Sequence, residues 1–480
     1  MKISNLKFKI ILWISIIFFV TLFSYLSIKR YRTLNSYYYD LGIMNQVVYN
    51  TSRGRLLEMT NQDLKRNVSR LAIHFDPILA IFAPFYWVYP GPEVLLIGQE
   101  IVLGLGAWAV FLIAEKILKK KLISLVFSTS YLLFFAVQRA ALFDFHAVTL
   151  ATTFFLFAIY FQEIKKWNWF FIFIFLTLLT KEHVGLVVLI YGIYLAVIKK
   201  ERIIGLTTSV LGLMFFIVTV YFIIPYFRGG AHFAIGYFVD IKSRFWTIIN
   251  NGFPYVRSLV LPNFYALFSP LTLAISLPEW AINIFSINNN QRSFFFHYNS
   301  IIVSFVFYSL VLGYKNFDRL VKNNFIKKTV FVLFIILNLS FAYKYNPVPY
   351  FVKHPVKYRD VEKTKMRSIS LWQNKLKDEN IKVATTPKLA PFFTNRIHYF
   401  NFLYDSSYAT MGKTDEDIFK NEIDKYTLAD YIIINRSEIG DIAKGGIPVK
   451  FYFKLLDDKN FQMTFTDEKD SESIEVYRKI

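Results

Sequence analysis

The chain has 480 residues, of which 55% are hydrophobic and 52 are phenylalanine, and its mean hydropathy is +0.37. This balance excludes an ordinary soluble protein and indicates a membrane protein with several spans. The absence of cysteine excludes disulfides, thiolate metal ligands and thiol nucleophiles. The net charge of +21 is divided among short basic clusters between apolar runs, which is typical of cytoplasmic loops and not of a nucleic-acid-binding face.

Nine apolar segments are predicted to form spanning helices. They are 10–28, 93–114, 122–137, 146–162, 167–179, 184–198, 203–227, 300–313 and 329–342. The first is predicted to be a retained anchor, because no small-residue cleavage site follows it. Basic residues before it place the N-terminus in the cytoplasm, so an odd number of spans places everything after about Tyr343 outside the cell.

Three further stretches are predicted between these spans. Residues 29–73 form an outer loop in which "YYYDLGIMNQVVYN" has helical periodicity. Residues 77–89 are too few to span and are predicted to form an interfacial or re-entrant helix. Residues 255–285 are apolar but contain three prolines, so they form either a re-entrant pair or two short spans. Two short spans would bring the total to eleven and would leave the orientation of the later segments unchanged.

The composition changes after about residue 346. Charged residues become frequent, and the apolar runs shrink to strand length in "IKVATT", "RIHYFNF" and "DYIIINR". "KLAPFF" is predicted to form a short helix, and the last 20 residues a hairpin that turns near 467–471. The predicted fold class is mainly α, a polytopic transmembrane helical bundle of about nine to eleven spans (1–345), followed by a small α/β extracytoplasmic domain (346–480).

Ionisable residues at the ends of predicted spans are functional candidates, because burying such groups in a membrane costs free energy. Five outer segments bring them to the same membrane face. They are Asp40; His74 and Asp76; Arg139, Asp144 and His146; Lys181, Glu182 and His183; and Arg292 and His297. Glu100 alone lies about two turns inside a span. A single Asp or His is often only a helix cap, but capping does not explain three ionisable residues in "LLTKEHVGL".

These residue types suit transfer from a lipid-phosphate donor. An outer carboxylate could remove the proton of an acceptor hydroxyl, and Lys or Arg could hold the phosphate leaving group. The chain has no Walker A motif and no Asp-x-Asp motif in a soluble domain, so a nucleotide-sugar donor is not indicated. The pairs His74/Asp76 and Asp144/His146 could alternatively bind a divalent cation such as manganese, magnesium or zinc.

Five ordered motifs carry a resemblance to a known class of protein. They are "YYYDLGIMNQVVYN", "HFDPILAIFAPFYWVYP", "LFDFHAVTL", "LTKEHVGL" and "FHYNS". Over roughly residues 37–312 the chain resembles an uncharacterised bacterial and archaeal family of polytopic membrane proteins, a domain of unknown function regarded as similar to the GT-C superfamily of membrane glycosyltransferases. GT-C enzymes include the protein O-mannosyltransferases and the aminoarabinose transferases of lipid A.

The resemblance implies roles for particular residues. Asp40 matches the early acidic residue of the first outer loop, which is the catalytic base or a metal ligand in GT-C enzymes. His74 and Asp76 would lie near the acceptor or a metal. Lys181 matches a lipid-phosphate-binding lysine of the aminoarabinose transferases, although Glu182 and His183 replace the Gly-Pro that follows it there. The C-terminal domain would resemble variable domains that help to bind the acceptor.

The sequence thus predicts a multi-pass glycosyltransferase of the cell membrane that uses a polyprenyl-phosphate-linked sugar and an acceptor glycan, lipid or protein on the outer face. Asp40 is the candidate base. Lys181, Arg139, Arg292 and His297 are candidate phosphate or substrate ligands, and the other outer residues line the site. A transporter or flippase of a lipid-linked or anionic solute is the alternative, although no inverted repeat is evident. A non-catalytic assembly or receptor protein is a third possibility.

Overall fold

The computed structural model describes residues 2–348, 351–358, 360–403, 425–467 and 473–480. The chain divides into two units, each formed from separate stretches. The helical unit consists of Met1–Ser27, Leu71–Ile78 and Leu96–Lys357, and the mixed unit of Ile28–Arg70, Leu79–Leu95 and Tyr358–Ile480. The last boundary lies between Lys357 and Tyr358, twelve residues after the predicted position at 345/346. Residues 28–70 and 79–95, however, belong to the mixed unit and not to the transmembrane domain to which the sequence assigned them.

Five helices are long and apolar enough to cross a membrane: Leu6–Arg32, Glu93–Leu118, Arg202–Arg228, His297–Leu320 and Asn324–Tyr345. The pair Lys121–Leu133 and Phe135–Leu142 is bent by 43° and makes a sixth span if it is counted as one. The fold class is therefore confirmed as mainly α with several membrane spans.

The other three predicted spans are also helical, but they are shorter. They are Ala147–Glu163, Trp167–Leu178 and Val184–Val197. Within the described residues, the count of five or six by length and composition is therefore below the predicted nine to eleven, because polar or basic residues end these helices after 17, 12 and 14 residues.

Proline divides the stretch that the sequence left ambiguous. It contains the α-helices Phe245–Val260, Pro270–Leu273 and Leu277–Phe285, joined by the 3₁₀ helices Leu261–Phe268 and Ala274–Ser276. Pro262, Pro270 and Pro278 each lie in the first turn of a new element, where the missing N–H has no helical partner to lose. None of these helices has the length of a span.

Glycine brings two neighbouring helices into backbone contact. Val184–Val197 and Arg202–Val218 meet at the pairs Gly185/Gly212 and Gly192/Gly205. A Cβ atom on Gly192 would lie 2.3 Å from the Ser209 nitrogen, far inside van der Waals contact. The two pairs are separated by seven positions on each helix, so they lie on one face. This contact fixes the start of Val184–Val197, directly after the Lys-Glu-His triplet.

Lysine closes three of the turns between helices. Lys119, Lys165 and Lys200 have φ values of 55°, 58° and 62° and follow helices that end at Leu118, Glu163 and Val197. Helices commonly end on a residue in this left-handed conformation, and glycine is the usual choice. All three lysines belong to the basic clusters that the sequence predicts to be cytoplasmic.

The mixed unit contains two sheets. Strands β1 (Glu58–Asn61) and β2 (Arg66–Ser69) form an antiparallel hairpin. The larger sheet has the order β4-β3-β5-β7-β6 and consists of β3 (Val383–Thr385), β4 (Tyr399–Asn401), β5 (Tyr431–Asn435), β6 (Phe461–Thr466) and β7 (Ile474–Lys479). Strands β4, β3 and β5 are parallel, whereas β5/β7 and β7/β6 are antiparallel.

The predicted elements of this unit are present. Helices Lys363–Lys375, Ala390–Phe393 and Ile447–Leu456 accompany the larger sheet, which confirms the small α/β region. The closing hairpin forms as β6 and β7, and the end of its turn, 468–472, lies outside the described residues. "YYYDLGIMNQVVYN" forms the π-helix Tyr38–Gly42 and the α-helix Ile43–Ser52. The segment 77–89 contains the 3₁₀ helix Pro77–Phe82 and the α-helix Ala83–Tyr86.

Polar contacts join the first loop to the C-terminal stretch within the mixed unit. Arg55 binds both carboxylate oxygens of Glu379 at 3.0 Å. The hydrogen bond from Arg55 lowers the pKa of the Glu379 carboxyl. The amide nitrogen of Asn45 donates to the Thr394 hydroxyl at 2.9 Å. The first loop is therefore an integral part of this unit.

Candidate functional site

Glu182 is the centre of a buried network in the helical unit. Its Oε1 lies 2.9 Å from Nδ1 of His74 and 3.0 Å from Nε2 of His232, and its Oε2 accepts the backbone N–H of Phe75 at 3.0 Å. Burial acts to raise the pKa of the Glu182 carboxyl, but His74, His232 and Lys181 together hold it well below its usual value. An ionised carboxylate only accepts hydrogen bonds, so both imidazoles donate to Glu182.

The backbone then determines which nitrogen of His232 carries the proton. The N–H of Ala234 donates to Nδ1 of His232 at 3.0 Å, as a cap of the 3₁₀ helix Phe233–Phe238. Nδ1 is therefore an acceptor, and Nε2 carries the hydrogen that faces Glu182. His74 has the opposite arrangement, with the hydrogen on Nδ1.

The same three side chains are the one group of three or more potential metal ligands in the described part of the chain. Of the predicted metal ligands, only His74 belongs to it. A metal bound to Nε2 of His232 would need a hydrogen on Nδ1, where the Ala234 N–H already points. Three potential ligands are enough for a metal site, but the hydrogen bond from Ala234 to Nδ1 of His232 does not suit one. The cluster therefore fits a hydrogen-bonded carboxylate–imidazole network better than a metal centre.

A second group of imidazoles lies beside the first. The rings of His146 and His297 stack at 3.7 Å between centroids and 17° between planes. His146 is positioned by a hydrogen bond from its Nδ1 to the Asp144 carbonyl at 2.9 Å and precedes the helix Ala147–Glu163. The ring of Tyr298 lies 4.3 Å from that of His297 and 6.0 Å from Nζ of Lys181. Lys181 is followed directly in the chain by Glu182 and His183. The two groups therefore form one cluster, which contains five of the seven histidines of the chain.

Two carboxylates compensate part of the positive charge that this cluster could carry. Glu182 binds His74 and His232, and Oε2 of Glu279 lies 3.0 Å from Nε2 of His183, at ion-pair distance but without hydrogen-bond geometry. Lys181 is different. Its ammonium group lies 6.0 Å from the ring centroid of Tyr298, and among the described residues its Nζ has no hydrogen bond or ion pair. This cation could therefore bind an anion without first breaking an ion pair.

The two predicted arginine ligands have backbone partners. Nε of Arg139 donates to the Tyr345 carbonyl at 2.9 Å, and its guanidinium lies over the ring of Phe295. Arg292 donates to the carbonyls of Ile284 and Ser286 at 3.1 and 2.5 Å. Both guanidinium groups thus hold chain segments in place. A role in phosphate binding would require some of these bonds to be exchanged.

The predicted acids lie in different environments. Asp76 and Asp144 are buried in the helical unit, with exposures of 3% and 1%. Glu100 is fully buried in the helix Glu93–Leu118, and neither carboxylate oxygen has a hydrogen-bond partner in the described structure. Asp40 is half-buried in the π-helix Tyr38–Gly42 of the mixed unit. π-Helical turns are rare and are frequent at functional sites.

The sequence did not identify His232 and Glu279. His232 comes two residues after a Gly-Gly pair, and Glu279 lies between Pro278 and Trp280 in an apolar stretch, so neither has a local pattern that marks it. The one available signal was that each is an isolated ionisable residue in an apolar region.

The helices and this buried, histidine-rich cluster define a polytopic membrane protein with a polar centre at the ends of its helices. A family described as "Predicted membrane protein (DUF2079)" matches residues 30–444, and the chain belongs to this family. Among curated proteins, none matches the sequence. The crystal structure of the Archaeoglobus fulgidus oligosaccharyltransferase, tethered to an acceptor peptide with an NVT sequon, is similar over 88% of this chain and 69% of that chain. The identity is 10% and the TM-score 0.43, values too low to bear on the reaction.

Proposed function

We propose that this membrane protein is a glycosyltransferase that moves a sugar from a polyprenyl-phosphate donor to an acceptor on the extracytoplasmic face. The observation that carries the proposal is the gathering of Lys181 and five histidines at the helix ends of one unit. Imidazoles and an ammonium group without an ion pair are suitable partners for a phosphate, and a lipid-linked phosphate approaches such a centre from the bilayer.

The proposed reaction needs two kinds of group. A base removes the proton of the acceptor hydroxyl while its oxygen bonds to the sugar carbon, and the bond from that carbon to the donor phosphate breaks with its electron pair on the phosphate. Lys181 and the neighbouring imidazoles stabilise the charge of the leaving phosphate. Asp40 is the proposed base, because it matches the early acidic residue of GT-C enzymes and lies on a π-helical turn.

The test is sugar transfer in vesicles that contain the purified protein and radiolabelled polyprenyl-phosphate sugars. Asp40→Asn should lower the rate by about 10²–10⁴-fold through loss of the base. Lys181→Ala should lower it by about 10²-fold or more, and Lys181→Arg should restore part of it by keeping the charge. Lys322→Ala is the matched control and should have no effect, because the 21-residue helix Ser300–Leu320, about 30 Å long, separates Lys322 from His297. Equal transfer by wild type and both loss-of-charge variants would remove the proposed reaction.

One observation favours transport or flipping of a lipid-linked solute as a second candidate. Glu100 lies in the interior of a span without a hydrogen-bond partner for either oxygen among the described residues. Buried carboxyls of this kind serve in proton relays. If the protein is a proton-coupled flippase, Glu100→Gln should stop movement of a fluorescent polyprenyl-phosphate sugar across the vesicle membrane. A glycosyltransferase should retain transfer in the same variant.

A further inference from the structure

The turn that carries Asp40 has an unusual hydrogen-bond pattern. The N–H of Gly42 donates to the carbonyl of Tyr37 at 3.0 Å, and the N–H of Ile43 donates to the carbonyl of Tyr38. Both bonds reach back five residues, so the turn is wider than an α-helical one and holds one residue more. Such a turn needs support from its surroundings, because its geometry is less favourable than that of the adjoining α-helix.

The first residue of the turn is held by strand β4. The ring of Tyr38 stacks on Tyr399 with 4.9 Å between centroids and 23° between planes, and both rings are buried. The Tyr38 hydroxyl donates to the Thr60 carbonyl at 2.8 Å. Tyr399 is itself fixed, because its backbone N–H donates to the Thr60 hydroxyl at 3.1 Å and its own hydroxyl shares a 2.7 Å hydrogen bond with Thr385.

The last residue of the turn is held by the helix Ala390–Phe393. A Cβ atom on Gly42 would lie 3.4 Å from the Cβ of Ala390, which is fully buried. A Cβ atom at Gly42 would thus be in ordinary van der Waals contact with Ala390 and 3.3 Å from the Tyr38 ring, so the turn and this helix are closely packed, and only a side chain much larger than cysteine would separate them. Both ends of the five-residue turn therefore contact the C-terminal stretch, and Asp40 lies between these contacts.

We propose that Tyr399 and Ala390 are positioning residues for Asp40, so that the C-terminal sheet supports the base of the reaction in addition to any part it has in binding an acceptor. The catalytic meaning of this support depends on the proposed function of Asp40, whereas the support itself depends only on contacts within the mixed unit. A base must be held within a fraction of an ångström of its working position, and rigid elements hold it better than loops.

The first experiment is a cross-link that the cysteine-free chain makes possible. In Gly42→Cys/Ala390→Cys the two Cβ atoms start about 3.4 Å apart, close to the 3.5–4.5 Å of natural disulfides. Mild oxidation should form the disulfide quantitatively, whereas each single variant should form none within the chain. The oxidised protein should keep transfer activity within about twofold of the reduced protein, because the bond joins parts that already lie together. No cross-link, or a loss of activity that reduction restores, would overturn the proposal.

The second experiment separates positioning from general stability. Tyr399→Phe keeps the stacked ring and loses one hydrogen bond, whereas Tyr399→Ala removes the ring. In the Gly42→Cys background, Tyr399→Ala should speed maleimide labelling of the buried thiol by about tenfold or more, and Tyr399→Phe by less than about threefold. In the cysteine-free protein, Tyr399→Ala should lower kcat while KM stays within about twofold, and Tyr399→Phe should retain most of kcat.

These readouts distinguish the two hypotheses. If Asp40→Asn abolishes transfer while Tyr399→Ala changes neither labelling nor kcat, the positioning role is wrong and the proposed function stands. If Tyr399→Ala speeds labelling while kcat is unchanged, Tyr399 supports the turn but Asp40 is not the base. The positioning role and the assignment of Asp40 as the base are then both wrong.

Discussion

The replacement Glu182→Gln tests whether the buried network holds the helix ends together. Glu182 accepts three hydrogen bonds at 2.9–3.0 Å, two of them from imidazoles. A glutamine has one oxygen acceptor, and its NH₂ group would face a donor. At least one buried donor then loses its partner, and the remaining bonds lose their charge.

The expected cost follows from these contacts. Hydrogen bonds to a charged group contribute about 1.5–3 kcal/mol, and an unsatisfied buried donor costs about 1–3 kcal/mol. Glu182 is 95% buried and His74 about 80%, so solvent compensates little. The variant should lose about 2–4 kcal/mol. Unfolding in detergent is often irreversible, so the quantity to measure is the unfolding rate. At a fixed temperature the variant should unfold about 30-fold to several hundred-fold faster than wild type.

Glu279→Gln is the matched control for this experiment. Glu279 is as buried as Glu182, but it has a single imidazole neighbour at 3.0 Å, without hydrogen-bond geometry. Its replacement should cost about 1 kcal/mol or less.

The contribution of Glu182 to stability should also depend on pH. The folded protein holds the pKa of the Glu182 carboxyl below its ordinary value of 4.5. The stability that this carboxylate contributes is therefore complete above pH 4.5 and disappears as the pH falls through the lowered pKa. Equal effects of the two replacements at pH 7 would refute the reasoning.

Three further outcomes are expected. Gly192→Leu should force the glycine-packed helices apart and cost about 1–3 kcal/mol or more, seen as loss of monodisperse protein, whereas Gly236→Leu, with open space around it, should be tolerated. Glu379→Gln should lower the free energy of unfolding by about 1 kcal/mol at pH 7. This difference from wild type should shrink below pH 4.5, as the pH falls through the lowered pKa of the Glu379 carboxyl, and a pH-independent difference would contradict the ion pair with Arg55. Zn²⁺ should leave the unfolding midpoint unchanged, because His232 Nε2 carries a proton; a stabilisation lost in His232→Asn would reveal a metal site.

The sequence was sufficient where the signal is local. Each predicted span is helical, because apolar runs bounded by basic residues determine where such helices begin and end. The helix around Asp40 was likewise predicted from helical periodicity, and the closing hairpin from strand-length apolar runs on either side of a polar turn. Within the described residues, five or six helices have the length and composition of a span, fewer than the predicted nine to eleven, because hydropathy alone does not show how long a helix is.

The sequence was insufficient where residues distant in the chain combine. The first loop was assigned to the transmembrane domain, but contacts such as Arg55 with Glu379, more than 300 residues apart, place it in the mixed unit. The partners of Glu182 lie 108 and 50 residues away. His74 and Asp76 were paired because they are close in sequence, whereas the structure groups His74 with Glu182 and His232.

Two physical effects act at each of the three lysines that close interhelical turns: the strain of a left-handed backbone and the positive charge of the loop. Glycine would relieve the left-handed backbone at Lys119, Lys165 and Lys200, a strain of about 1–2 kcal/mol at each. The same replacement would remove a positive charge from loops that the sequence predicts to be cytoplasmic, and basic residues in such loops orient a membrane protein during insertion. If these loops are cytoplasmic, a Lys→Gly exchange at these turns should stabilise the folded protein and at the same time increase the fraction of chains inserted in the opposite orientation.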